Sequence, residues 1–388
     1  MKILFIGGYP TSINRSSCVF FQNLVHAIAD TGIECHVIAP VSVTKGRKRV
    51  KDIPQKYIEM TSKGSKVYVH YPRYVSASSK QIGKFNTEMI TLFNFKRAVN
   101  RMVKRLNISF DAVYGHFFLC GGLAAIHIGR KLSIPSFVAY GECDYQSQVI
   151  EQYRALKKKD IEGLTGIISV SQKNTAELND AGIFGGIPIA TFENAVDMSL
   201  FGNCSKEEAR KKFNLPQDKF IVGFVGGFIE RKGDKRLLEA CKGLNDVSLA
   251  FAGRGADKPE GENVVFCDSV NHDEIGNFLS ALDVFCLPTL NEGCCNAVLE
   301  AMAAGKAIIS SDLPFNDGVL TNENSIRINP NSIDEIRNAI IKLRDDKELL
   351  NTISTKAQED SKSFTIEKRA EKILDFMSGE ISNYAGKK

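Results

Sequence analysis

The chain has 388 residues, 43% hydrophobic and 24% charged, which is long enough for two domains with separate cores and has the composition of a globular protein. No window reaches the roughly 18 uncharged apolar residues a membrane-spanning helix needs, and the ten scattered cysteines, with no CxxC pair, argue against a disulfide framework or a zinc site. The net charge of +5 hides an asymmetry: residues 1–200 carry 25 Lys/Arg against 15 Asp/Glu, residues 201–388 carry 25 against 30.

Lys2–Ile6 is a continuous apolar run that reads as a first strand; with six residues before the first glycine it is too short for a secretory signal core, so a cytoplasmic protein is expected. The turn-rich stretch Gly7–Ser17 follows, including Arg15, Ser16 and Ser17. Phe20, Phe21, Leu24, Val25 and Ile28 then recur at helical spacing, Gly32 ends that helix, and Glu34–Ala39 is the next strand. Residues 45–105 hold 16 basic and 3 acidic positions. Such a stretch is a solvated face, a contact for an anionic membrane surface, where each cation is worth ~1 kcal/mol, or a nucleic-acid site. The aromatic residues there (Tyr68, Tyr71, Tyr74, Phe85, Phe93, Phe95) follow no RNA-binding motif, so nucleic acid is set aside and a peripheral place on the cytoplasmic membrane face is kept.

Further strands are predicted at Val67–Tyr71, Asp111–Tyr114, Ser136–Tyr140 and Gly166–Val170. After Asn194-Ala-Val-Asp197 and a helix at Ser205–Phe213 the pattern restarts. Strands are predicted at Phe220–Val225, Ser248–Ala252, Asn263–Phe266, Val284–Leu287 and Ala307–Ser310, with a helix around Leu237–Ala240. Apolar strands alternating with helices imply an α/β chain with parallel sheets covered on both sides. Two doubly wound, Rossmann-like domains are expected, 1–194 and 195–364, with a last helix (about 365–388) returning to the first. Ligands of such sheets sit at the carboxyl ends of the strands, so two domains facing each other would make an interdomain cleft.

One segment concentrates chemistry: Pro288-Thr-Leu-Asn-Glu292-Gly293-Cys294-Cys295-Asn296, then Ala-Val-Leu-Glu300 on a helix. Small residues let a ligand approach the backbone, and the first N–H groups of the helix carry the positive end of its dipole, a site for a diphosphate. Glu292 before the helix and Glu300 inside it would place one carboxylate at each end of a nucleoside-diphospho-sugar. Glu142-x-Asp144 has the spacing of a metal-binding pair but the wrong context, so no metal and no cofactor are expected.

This segment resembles the E-x7-E signature of family 4 of the retaining GT-B glycosyltransferases. Phe224-Val-Gly226-Gly227-Phe-Ile-Glu-Arg231-Lys232-Gly233 resembles that family's donor-phosphate loop, and Asp283-Val-Phe-Cys-Leu-Pro288 its A-D-V-x-x-x-P strand. Asn194-Ala-Val-Asp197 with Phe201 is similar to its interdomain N-G-V-D-x-x-x-F, and Asp111–Phe117 to its histidine segment at His116. The resemblance implies the GT-B fold and transfer of a hexose or N-acetylhexosamine from a UDP- or GDP-sugar to a glycan acceptor. The basic stretch suggests a lipid-linked acceptor of cell-surface polysaccharide or glycolipid synthesis.

The resemblance also implies roles. Arg231 and Lys232 neutralise the leaving diphosphate, Glu292 meets the sugar and Glu300 the ribose, and His116 hydrogen-bonds donor or acceptor. Gly226, Gly227, Gly293, Cys294, Cys295 and Asn296 line the donor. Gly227 stands where many relatives have Arg, Tyr140-Gly-Glu142-Cys-Asp144 replaces the usual H-G-S-D, and Arg15-Ser16-Ser17 replaces a Gly-Gly pair, which makes Glu142, Asp144, Arg15, Ser16 and Ser17 candidates for an acceptor or phosphate loop. The alternatives are a GT-B nucleotide-sugar 2-epimerase and a non-catalytic nucleotide-sugar-binding protein.

Overall fold

The computed structural model describes residues 1–15, 17–44, 50–78, 80–83, 85–142 and 158–386. It divides into two compact units: Met1–Val170 with Asn174–Phe192 and Ile366–Lys388, and Ser171–Lys173 with Glu193–Thr365.

The first unit is built on eight strands: β1 (Lys2–Ile6), β2 (Glu34–Ile38), β3 (Lys56–Met60), β4 (Lys66–His70), β5 (Ala112–His116), β6 (Ser136–Tyr140), β7 (Leu164–Ser169) and β8 (Ile189–Thr191). Their order across the sheet is β8-β7-β6-β5-β1-β2-β4-β3, and every pair except β3 with β4 is parallel. The uninterrupted apolar run Ile3–Ile6 is fully buried, as both faces are covered. On one face Leu4, Ile6 and Val113 pack with Phe95, Val99 and Val103 of α2 (Glu88–Leu106) and Ala124 and Ile128 of α3 (Leu123–Leu132). The C-terminal helix Ile366–Ala385 packs on α1 (Val19–Ala29) and β7. There Phe376 fills the space that a Cβ on Gly166 would occupy.

The second unit has six parallel strands: β9 (Phe220–Val225), β10 (Val247–Ala252), β11 (Val264–Asp268), β12 (Val284–Leu287), β13 (Ala307–Ser311) and β14 (Ser325–Ile328), in the order β11-β10-β9-β12-β13-β14. Its helices include α4 (Lys206–Lys212), α5 (Asp234–Ala240), α6 (Ile275–Ser280) and α7 (Asn296–Ala303). α4 opens with a capping box: the Ser205 hydroxyl accepts from the Glu208 N–H and the Glu208 carboxylate from the Ser205 N–H.

The antiparallel β3 is absent from the sequence expectations, and the first helix ends at Ala29 rather than at Gly32, with Asp30 at its C-cap. Among the described residues no helix is long and apolar enough to cross a membrane.

Candidate active site

In the second unit β9 and β12 are neighbours, yet the chain winds outward from them in opposite directions. This is a topological switch point, where the loops at the carboxyl ends part and leave room for a ligand. The loop after β9 carries Gly226, Gly227, Arg231 and Lys232, and the loop after β12 carries Glu292 through Cys295. The two loops are tied directly. Leu290 donates its N–H to the Arg231 carbonyl at 2.8 Å, and Arg236 reaches the Pro288 carbonyl at 2.8 Å. Gly233, at φ 83°, makes the turn that brings them together, because a Cβ there would lie 2.5 Å from the Pro288 oxygen.

The charged centre is Glu292. Its Oε1 lies 2.7 Å from Arg231 Nη1 and 2.6 Å from Lys232 Nζ, and it accepts from the fully buried Thr289 hydroxyl at 3.0 Å. A carboxylate so enclosed is retained only because both cations and the hydroxyl meet it. Burial works against the charge on Lys232, but Cys295 and Glu292 outweigh it and the Lys232 pKa rises above that of an ordinary lysine. Burial pushes the Cys295 thiol itself up to about 11, so it stays protonated at neutral pH.

α7 begins at Asn296 with no side-chain hydrogen bond capping it. Gly293, Cys294 and Cys295 are buried, while Asn296 and Ala297 at the tip are half-buried. Asn194 fixes the tip, donating to the Cys294 carbonyl at 3.1 Å and to Asn296 Oδ1 at 2.8 Å. One turn on, burial raises the Glu300 carboxyl to about 7, and the nearby Lys232 pulls the other way. Arg231, Lys232, Glu292, Cys295 and Glu300 thus form one cluster at the end of the sheet.

The first unit has its own switch point, between β1 and β5. His116 ends β5 there, stacked on Phe21 with ring centroids 4.3 Å apart and flanked by Phe20 and Phe117. Burial, helped by the Arg369 cation of the C-terminal helix, pushes its pKa down to about 3. The imidazole is therefore neutral throughout the physiological range, and its buried Nδ1 has no hydrogen-bond partner among the described residues. Glu142 is turned inward, accepting from the Phe118 N–H at 2.6 Å and the Gly141 N–H at 3.0 Å, so it braces the turn after His116; burial raises its pKa to about 7. Arg15 is exposed in the loop after β1 and Ser17 is half-buried with its hydroxyl toward Cys18, while Ser16 and Asp144 lie outside the described residues. Among the described residues no three His, Cys, Asp or Glu side chains are grouped as a metal site.

The comparisons with known proteins bear on this arrangement. The family described as "Glycosyl transferases group 1" matches residues 205–360. The chain is 27% identical over 356 residues to TuaC of Bacillus subtilis (strain 168), named as a teichuronic acid biosynthesis glycosyltransferase, with 88% of each chain covered. It is 37% identical over 214 residues to the Escherichia coli UDP-Gal:alpha-D-GlcNAc-diphosphoundecaprenol alpha-1,3-galactosyltransferase, covering 50% of this chain and 55% of that one. Among solved structures, a sucrose-phosphate synthase from Thermosynechococcus elongatus superposes with a TM-score of 0.79 at 18% identity, over 99% of this chain and 100% of that one. The Anabaena protein HepE in complex with UDP gives 0.72 at 16% identity, over 98% and 100%. The fold is that of GT-B glycosyltransferases. The similarities in sequence support a glycosyltransferase enzyme.

Two contributors escape sequence reading. Thr289 and Arg369 act by position alone, one under Glu292 and one near His116. Gly253 and Gly255 form no nucleotide-binding fingerprint, yet their loop passes against the backbone of Gly226 and Phe228, where a Cβ would lie 1.8 Å and 2.4 Å from the respective carbonyl oxygens. The pair of glycines in Gly253-Arg-Gly255 was the available signal.

Proposed function

We propose that the chain is a retaining, metal-independent glycosyltransferase that moves a hexose or N-acetylhexosamine from a UDP- or GDP-sugar to a lipid-linked glycan acceptor in the synthesis of cell-surface polysaccharide. The observation that carries this reading is the cluster at the switch point of the second unit: two cations, two carboxylates and an uncapped helix tip gathered where such sheets bind nucleotides.

The diphosphate lies at the amino end of α7, where its oxygens take the helix amides and displace Glu292 as the partner of Lys232 and Arg231. Glu292 is thereby released to accept hydroxyls of the sugar, and Glu300 those of the ribose. As the glycosidic bond breaks, negative charge grows on the leaving phosphate, and cations fixed in a dry site stabilise it more than water would. The leaving phosphate takes the proton of the attacking acceptor hydroxyl, so no separate base is invoked. His116, held neutral, hydrogen-bonds a sugar hydroxyl through an imidazole nitrogen. The UDP-bound neighbour, the diphosphoundecaprenol-linked acceptor in the name of one relative, and the basic residues 45–105 support the donor class, the acceptor class and a peripheral position on an anionic membrane.

The test is transfer from a panel of UDP- and GDP-sugars to a polyprenyl-diphosphate saccharide in the presence of a chelator, with the anomeric configuration of the product read by NMR. Turnover with retained configuration is expected. Lys232→Ala loses ~10²-fold or more in turnover, the scale of an oxyanion-stabilising donor; wild-type turnover in that variant removes Lys232 from the mechanism.

A further inference from the structure

We propose that the amino-terminal turns of α2, with the short antiparallel pair Gln81–Ile82 and Phe85–Asn86 before them, form an apolar tip that inserts into an anionic bilayer. This rests on the peripheral-membrane reading above and narrows it from attraction by charge to insertion at named side chains.

Met89, Ile90 and Phe93 on the first turns of α2 are 53%, 41% and 58% exposed, and Ile82 of the preceding pair 64%. A single exposed apolar residue means little, but four large ones within twelve residues are the kind of patch that marks a contact. The segment is built rather than frayed. Thr91 and Asn94 tie α2 to the strand of chain before it, through the Ala77 N–H at 2.9 Å and the Val75 carbonyl at 2.9 Å, and Thr87 accepts from the Lys80 N–H at 3.0 Å.

The same helix changes character along its axis. Beyond Phe93, its outward positions are Arg97, Arg101, Lys104 and Arg105, all exposed. At a rise of about 1.5 Å per residue these cations lie roughly 6–18 Å from Phe93, the reach of a head-group layer beside an inserted tip. Between Met89 and Phe93 of α2 and Leu119 and Leu123 beyond β5, a groove of about 430 Å³ continues the apolar surface inward. Two carboxylates, Glu88 and Asp160, and two cations, Lys96 and Arg130, are also among its lining residues.

Charge decides the occupant. A second copy docking on this face about a twofold axis would set the four cations against themselves, whereas an anionic lipid surface attracts all four while the apolar tip enters the acyl boundary.

The chain contains no tryptophan, so Phe93→Trp installs a single fluorophore at the tip. With vesicles containing phosphatidylglycerol its emission moves to the blue and is quenched by bromine-labelled acyl chains. The shift survives ~1 M salt once bound, where the screening length falls to about 3 Å. Met89→Ser with Phe93→Ser weakens vesicle partitioning by roughly tenfold or more, following the lost apolar burial. An unmoved Phe93→Trp emission, partitioning of the serine variant equal to wild type, or a blue shift that follows protein concentration without lipid would overturn the proposal. Transfer to a short-chain, water-soluble acceptor stays at the wild-type rate in the serine variant. If membrane insertion fails while that transfer persists, the transferase reading stands; loss of transfer in the wild type points to the transferase reading itself.

Discussion

Glu300 is raised to about 7 by burial, while His116 is pushed down to about 3 and remains neutral. The two therefore separate in any titration near neutrality. A carboxylate accepts both hydroxyls of a ribose; its protonated form gives up one of those acceptor sites to an O–H. Because the Glu300 pKa is raised, its ionised form is lost as pH falls through about 7, not through the usual range near 4. The affinity for the cognate nucleoside diphosphate should fall several-fold between pH 8 and 6, and Glu300→Gln should bind weakly at both with the slope largely flattened. Calorimetric titration at the two pH values checks this. A slope that persists in Glu300→Gln assigns the proton to another group, the terminal phosphate of the ligand, which itself titrates at about pH 6, being the first to test.

At the scale of the elements, glycines fix how the loops stack. A Cβ on Gly253 would lie 1.8 Å from the Gly226 oxygen, whereas one on Gly227 would meet only the Arg254 oxygen, at 3.8 Å. Gly253→Ala must push the Gly226–Lys232 loop aside and should cost about 1–3 kcal/mol, as overpacking does, with weaker diphosphate binding if that loop holds the donor. Gly227→Ala should stay within ~0.5 kcal/mol. Unfolding midpoints of the two variants side by side decide it, equal midpoints contradicting the stacking described.

What the sequence reveals of these elements follows from period and burial. Ser136–Tyr140, Phe220–Val225 and Val284–Leu287 coincide with observed strands, because a strand covered on both faces is one unbroken apolar run. β3 is hidden by an inverted pattern. Its inward Tyr57 and Glu59 are polar-tipped, Glu59 taking hydrogen bonds from Tyr9 and Gln22, while its outward Ile58 and Met60 are 50% and 53% exposed. Arg231 and Lys232 stood out in the sequence as charges next to a glycine after a strand, and the structure sets both against Glu292. Thr289 and Arg369 were not, since a lone threonine after a proline and an arginine on a C-terminal helix look like any others until the fold sets them beside Glu292 and His116.

Across the whole molecule the two units divide labour. The second, net negative by sequence, holds the Arg231, Lys232 and Glu292 cluster at its switch point; the first, net positive, carries the neutral histidine and the cation-bearing helix α2. In the proposed function the second unit reads phosphate through Lys232 and the amino end of α7. Calorimetric comparison of a nucleoside diphosphate with its monophosphate, on wild type and on Lys232→Ala, tests that most directly. One charge-assisted bond to the terminal phosphate, about 1.5–3 kcal/mol, predicts at least a roughly tenfold preference for the diphosphate in the wild type. In Lys232→Ala that preference should fall by about the same tenfold factor while monophosphate affinity is kept, Arg231 and the α7 amides still meeting the phosphates. A preference that is unchanged in Lys232→Ala, or absent in the wild type, would contradict the account.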